Sequence, residues 1–141
     1  MASSTNLKRF LDAQQTDYET ALAEIKSGRK RSHWMWYIFP QIQGLGYSST
    51  SRYYGIQDID EAEAFLQHPV LGERLVAICN ELLKLNTHNA NQIFGSPDDL
   101  KLKSSMTLFS TLNTNPVFQS VLDKYFNGTK DAATLKIIGE K

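Results

Sequence analysis

Apolar positions recur at helical spacing along almost the whole chain, most regularly at Leu71, Leu75, Ile78, Leu82 and Leu85. Flanked by Cys79 and Leu83, they put one continuous apolar stripe on a helix that Pro69 starts, and the pattern makes this helix the central element of the core. Upstream, Thr5 or Asn6 caps a short first helix ending near Gln14. Thr16 and Glu19 then form a capping box for a second helix, which buries Tyr18, Ala21, Leu22 and Ile25 and stops at Gly28. Asp58 or Asp60 opens a helix through Leu66, and His68-Pro69 ends it, with His68 as the N-cap of the next. Ser96-Pro97-Asp98-Asp99 starts another, with Leu102, Met106, Phe109 and Leu112 down one face. Asn115-Pro116 repeats the device ahead of Phe118, Val121, Leu122, Tyr125, Phe126 and a stop at Gly128, and residues 131–138 make a last short helix. No repeat, low-complexity run or linker interrupts the series. The expected fold is all-α: one compact domain over residues 1–141, an orthogonal array of six to eight helices.

Residues 32–39 depart from this regularity, because Trp, Tyr, Ile and Phe favour strands as well as buried helices. Ser32 as N-cap and Pro40 as terminator favour a short buried helix. Residues 41–51, rich in Gly and Ser, read as an ordered loop leading into a turn at Arg52-Tyr53-Tyr54-Gly55.

Charge and cysteine content narrow the classes of function. Fifteen Lys and Arg balance fifteen Asp and Glu, so no net field holds the molecule on long nucleic acid or on an anionic membrane. Cys79 is the one cysteine and falls on an apolar face; an internal disulfide is excluded and a reducing, cytoplasmic setting is expected. The first residues contain no apolar leader, and no apolar run approaches the roughly 20 residues of a membrane span. His33, His68 and His88 are joined by no metal-ligand spacing. Gly44-Leu45-Gly46 has Ser49 where a dinucleotide loop needs its third glycine, and no Gly-x-Ser-x-Gly elbow is present. Neither a metal nor a cofactor is expected.

Candidate chemistry concentrates between Arg29 and Tyr54, where seven of the fifteen aromatic residues stand beside a basic run. Lys30, with Lys26, Arg29 and Arg31, precedes the helix start at Ser32; free N–H groups and cations there suit a phosphate, and a solvated turn is the alternative. Trp34 and Trp36 lie two apart and point in different directions on a helix, so one can pack in the core while the other lines a cleft. His33 is the candidate catalytic group, as a neutral imidazole acting as a base; a capping or core histidine is the bland reading. Gln41, Ser48, Ser51, Tyr53 and Lys101 complete the set, although Ser48 and Ser51 equally suit a cap for the turn that follows. The first functional reading is a pocket for a nucleotide-like or phosphorylated small molecule, with or without hydrolysis. The second is a protein-interaction module using an exposed aromatic segment. A concave site with several polar groups separates the first from the flat apolar patch of the second.

Phe10-x-x-Ala13-Gln14, the run from Ser32 to Gln41, Gly44-Leu45-Gly46-x-Ser48-x-x-Ser51, His68-Pro69-x-Leu71-Gly72-x-Arg74-Leu75, Ile93-Phe94-Gly95 and Lys101-Leu102-x-Ser104-Ser105-Met106-Thr107-Leu108-Phe109 together resemble a bacterial domain-of-unknown-function family that often carries the label "calpastatin". The resemblance spans almost the whole chain and implies an all-helical single domain, with no activity attached and no calpain inhibition. A fainter likeness is to the NADAR family of ADP-ribose glycosidases, through Phe10-x-x-Ala13-Gln14, Phe65-x-x-His68-x-x-Leu71, Phe94-Gly95 and Met106. It implies hydrolysis of an N-glycosidic bond to ADP-ribose. The catalytic Glu of that family, just ahead of its Ala-Gln motif, has no counterpart here, where Leu7, Lys8 and Arg9 stand.

Overall fold

The computed structural model describes residues 7–139, and within them the backbone is helical without a named strand. The elements run α1 Lys8–Lys26, α2 Met35–Ile38, α3 Ser49–Tyr54, α4 Ile59–Gln67, α5 Leu71–Lys84, α6 Ala90–Phe94, α7 Asp98–Ser110, α8 Val117–Phe126 and α9 Ala132–Ile138. One isolated parallel bridge joins Ile42 to Ile56.

The all-α class expected from the periodicity is therefore found, with nine helices among the described residues in place of six to eight. Two causes account for the difference. The expected first and second helices are one: Phe10, Gln14, Tyr18, Ala21 and Ile25 are buried at four- and three-residue spacing, a single unbroken stripe. Thr16 and Glu19 face outward along it, so the capping box read there is not formed; no Gly or Pro breaks the backbone between the two expected helices. The proposed caps Thr5 and Asn6 lie outside the described residues. In the other direction, two short helices went unread. Ser48 caps α3, its Oγ accepting from the Ser51 amide at 3.1 Å, so a helix occupies what was expected as loop and turn. Asn89 caps α6 by accepting from the Gln92 amide.

Elsewhere the punctuation holds, except that Val70 and not His68 is the N-cap of α5, which starts at Leu71, two residues beyond Pro69. Asp58 accepts from the Glu61 amide at the start of α4, and Asp131 from the Thr134 amide at the start of α9. Asn115 accepts from the Val117 amide, and His68 Nδ1 accepts from the amides of Val70 and Leu71 ahead of α5. Gly28 takes a φ of +84° where α1 ends, a conformation that favours glycine.

The core is shared between two helices rather than centred on one. α5 packs on α1, α4 and α8 through Leu71, Leu75, Ile78, Cys79 and Leu82, and keeps a wet face at Glu73, Ala77 and Asn80. α7 is buried on every side from Ser104 to Ser110. Three of its hydroxyls are accommodated: Ser104 Oγ donates to Leu100 O, Ser110 Oγ donates to Thr107 O, and Thr107 Oγ1 accepts from the Asp131 amide, whereas Ser105 Oγ is buried without a partner. Cys79 sits fully buried beside Met106, and burial pushes its thiol far above the ordinary range, which suits an inert packing group.

Candidate functional site

The aromatic segment is positioned by two polar locks. At the end of α1, the Glu24 side chain reaches forward over the turn. Its Oε1 accepts from the amides of Arg31 (2.7 Å) and Ser32 (3.0 Å) and from Trp34 Nε1 (2.9 Å), while its Oε2 accepts from Ser32 Oγ (2.6 Å). Burial works to raise the Glu24 carboxyl; the Ser32 hydroxyl, the Arg31 amide, the indole N–H and the Ser32 amide outweigh it and hold the group down at about 2. The backbone amides expected to face a phosphate near Ser32 are thus occupied by the protein's own carboxylate, whereas the exposed Arg29 and Arg31 side chains have no partner among the described residues. Ser32 is not an N-cap either: Trp34 holds that position for α2, without a side-chain cap.

The second lock is Asp98, which accepts from Lys30 at 2.9 Å and from Lys101 at 3.0 Å. Burial raises its carboxyl and the two lysines more than reverse this, leaving it below its ordinary value. Each lysine also covers an indole: Lys30 Nζ stands 5.1 Å from the Trp34 ring and Lys101 Nζ 4.3 Å from the Trp36 ring. Trp34 is 1% exposed and packs on Phe39 and Phe94. Trp36 is half-buried. Lys30, Trp34, Trp36 and Lys101 therefore come together around Asp98, with one cation on each ring.

Beyond Pro40 the chain forms a different environment. The Ile42–Ile56 bridge, made by Gln43 N donating to Ile56 O and Ile56 N donating to Gln41 O, brings residues 41–43 against the end of α3. Gln41 is buried and its Nε2 has no hydrogen-bond partner. It lines a void of about 10 Å³, close to the space of one water, with Trp36, Ser51 and Gly55. Gly55 is closely packed: a Cβ there would displace the Gln43 side-chain amide, whose Oε1 it would meet at 2.0 Å, and would press on Gln43 Cα at 3.0 Å. On its other side Gly55 lines a cleft of about 360 Å³ with Arg9, Gln43, Arg52, Tyr53 and Gln57.

Arg9 forms the back of that cleft and is fully engaged. Its Nε donates to Tyr53 O at 2.7 Å, and one terminal nitrogen donates to Gly55 O at 2.9 Å and to Glu61 Oε1 at 3.0 Å, with both side chains of the ion pair buried. Glu61 also accepts from the Gln57 amide at 2.8 Å. The pair ties α1 to both ends of the α3–α4 connection and holds the cleft wall. Arg52 and Tyr53 face outward at its rim. Tyr53 is 56% exposed and braced edge-on against Tyr54 at 4.8 Å, and Arg52 makes no side-chain hydrogen bond or ion pair among the described residues.

The sequence-derived candidates are thus divided. Lys30, Trp34, Trp36 and Lys101 meet at Asp98; Trp36, Gln41 and Ser51 meet at the small void; Tyr53 stands at the larger cleft. Ser48 Oγ caps α3 and Ser51 Oγ donates to Ser48 O, as their capping alternative had it. His33 is exposed, and its contact with Tyr37 runs through its backbone carbonyl, which accepts from the Tyr37 hydroxyl at 3.1 Å. Sequence reasoning missed Glu24, Asp98, Arg9 and Glu61 as the groups that organise the region. A carboxylate in the last turn of a helix directly ahead of a basic run was the available signal for Glu24. The Arg9–Glu61 pairing across 52 residues carried none.

An all-α protein, its aromatic segment pinned by internal carboxylates beside a polar cleft, is the class these features define. The chain belongs to the family described as "Protein of unknown function (DUF1810)", whose model matches residues 4–138. Among solved structures, it is similar to the crystal structure of the conserved hypothetical protein Rv1873 from Mycobacterium tuberculosis, with 42% identity and a TM-score of 0.95 over 99% of this chain and 100% of that one. A comparison with curated proteins finds no match. Among the described residues, no helix is long and apolar enough to cross a membrane.

Proposed function

We propose that the protein binds a nucleotide-like or phosphorylated small molecule in the cleft beside α3. Arg52 meets the anionic group, Tyr53 offers its face to the flat ring, and Gln43 and Gln57 meet polar edges. One observation carries this reading: an unpaired guanidinium and an exposed tyrosine, adjacent on one short helix, rim a cleft of about 360 Å³. That volume falls within the span of small-ligand sites, and base stacking on an aromatic ring is worth about 1 to 3 kcal/mol. In this reading Lys30, Trp34, Trp36 and Lys101 shape the neighbouring wall and do not touch the ligand, and His33 has no part in the binding.

The likeness to ADP-ribose glycosidases makes an ADP-ribose derivative the ligand to try first. Glu61 is engaged by Arg9 and by the Gln57 amide, so we propose binding rather than hydrolysis. The interaction-module reading has less support, because Trp34 and Phe39 are buried and leave Tyr47 and Tyr53 as the strongly exposed rings of the segment. The test is calorimetric titration with ADP-ribose, AMP, ribose 5-phosphate and inorganic phosphate. ADP-ribose or AMP should bind more tightly than ribose 5-phosphate, which lacks the base. Absence of binding by all four compounds overturns the proposal.

A further inference from the structure

A second concavity, away from the aromatic segment, lies where α4 meets α5 and the chain leaving α7. It encloses about 410 Å³ and is predominantly apolar, with Leu66, Gly72, Val76 and Leu112 among its lining residues. Gly72 fixes the geometry, because a Cβ there would meet Leu66 O at 1.9 Å; the two helices approach at this point as only glycine allows. Two carboxylates, Glu63 and Glu73, line the same groove, and both residues are exposed. Neither carboxylate makes an ion pair or a side-chain hydrogen bond among the described residues, although the chain carries as many basic as acidic residues. An apolar floor between unpaired acids is complementary to a molecule with an apolar body and a positive head.

We propose that this groove binds a small amphipathic cation, an amine on a short alkyl or aryl body. The apolar part lies on Leu66, Val76 and Leu112, and the ammonium group meets Glu63 and Glu73. The volume is that of a small-molecule site rather than of a long helix-binding groove. This site is separate from the α3 cleft, shares no lining residue with it, and stands or falls independently of it.

The experiment is an NMR titration of the whole chain with hexylammonium, hexan-1-ol and hexanesulfonate, read at the methyl groups of Val76 and Leu112. Hexylammonium should bind about fivefold or more tighter than hexan-1-ol, in keeping with two surface charges of modest strength. Hexanesulfonate should not bind. Octylammonium should bind more tightly again, by roughly fourfold for each added methylene. In the E63Q/E73Q double variant, whose positions are exposed, hexylammonium should fall to the affinity of hexan-1-ol while the alcohol is unaffected. Equal affinity for cation and alcohol in the parent, or shifts that avoid Val76 and Leu112, would overturn the proposal.

Discussion

Residues 30–41 and 48–57 are neighbours in sequence with similar composition, each mixing cations, aromatic rings and carboxamides, yet they do different physical work. In the first, Lys30 pairs with Asp98, and Glu24 takes the Ser32 turn and the Trp34 indole, which leaves the exposed Arg31 guanidinium as the cation without a partner among the described residues. In the second, the one cation, Arg52, has no partner among the described residues, while Arg9 of α1 behind it is paired with Glu61. Composition flags both as ligand-like. Partnering decides which side chains remain to meet a ligand.

The largest expected effect falls on the first region. Trp34→Ala should cost about 3 to 5 kcal/mol in chemical denaturation, since it removes a fully buried ring and orphans part of the Glu24 hydrogen bonding. A loss below about 1 kcal/mol would mean that the ring is dispensable and the region is not scaffold.

Glu24→Gln should cost about 1 to 3 kcal/mol, because the neutral amide accepts the four hydrogen bonds poorly. This contribution also depends on pH. The carboxyl is held at about 2 in the folded chain against an ordinary 4.5, so its stabilisation is present above pH 4.5 and is lost as the pH falls from there towards 2. The parent should lose stability through that window more steeply than Glu24→Gln, as melting curves at stepped pH would record; parallel losses would remove Glu24 as the cause.

Lys101→Ala should cost under about 1 kcal/mol, the range of a part-exposed cation over a ring, and should shift the emission of the half-buried Trp36. Unchanged emission would dissociate the lysine from the indole in solution. Smallest of all on stability, within about 0.5 kcal/mol, should be Arg52→Ala, a substitution at an exposed side chain without a partner. A larger loss would show that its guanidinium is engaged within the fold and is not free for a ligand.

The sequence was most legible where one residue's own chemistry decides the outcome. Asp58 caps a helix as expected, Asn115 takes the Val117 amide ahead of α8, Gly28 stops a helix, and the stripe from Leu71 to Leu82 is buried. It was least legible where partners come from afar or where small polar residues are buried. α7 hides its central place because Ser104, Ser105, Thr107 and Ser110 read as surface, while back-bonding and close packing let most of them enter the core. The location of an aromatic and basic segment was visible. That Glu24 and Asp98 neutralise it depends on the turn after α1 and on the approach of α7, which no local pattern encodes.

The claim that the cleft beside α3 receives the ligand, while the Lys30 to Lys101 cluster shapes its surroundings, is tested most directly by titrating AMP into the parent, Tyr53→Ala and Lys101→Ala by calorimetry. The account predicts that Tyr53→Ala weakens binding by roughly fivefold to a hundredfold, the loss of one stacked base, and that Lys101→Ala binds as the parent does. Binding that is weakened in Lys101→Ala and intact in Tyr53→Ala would contradict it and move the site to the indoles.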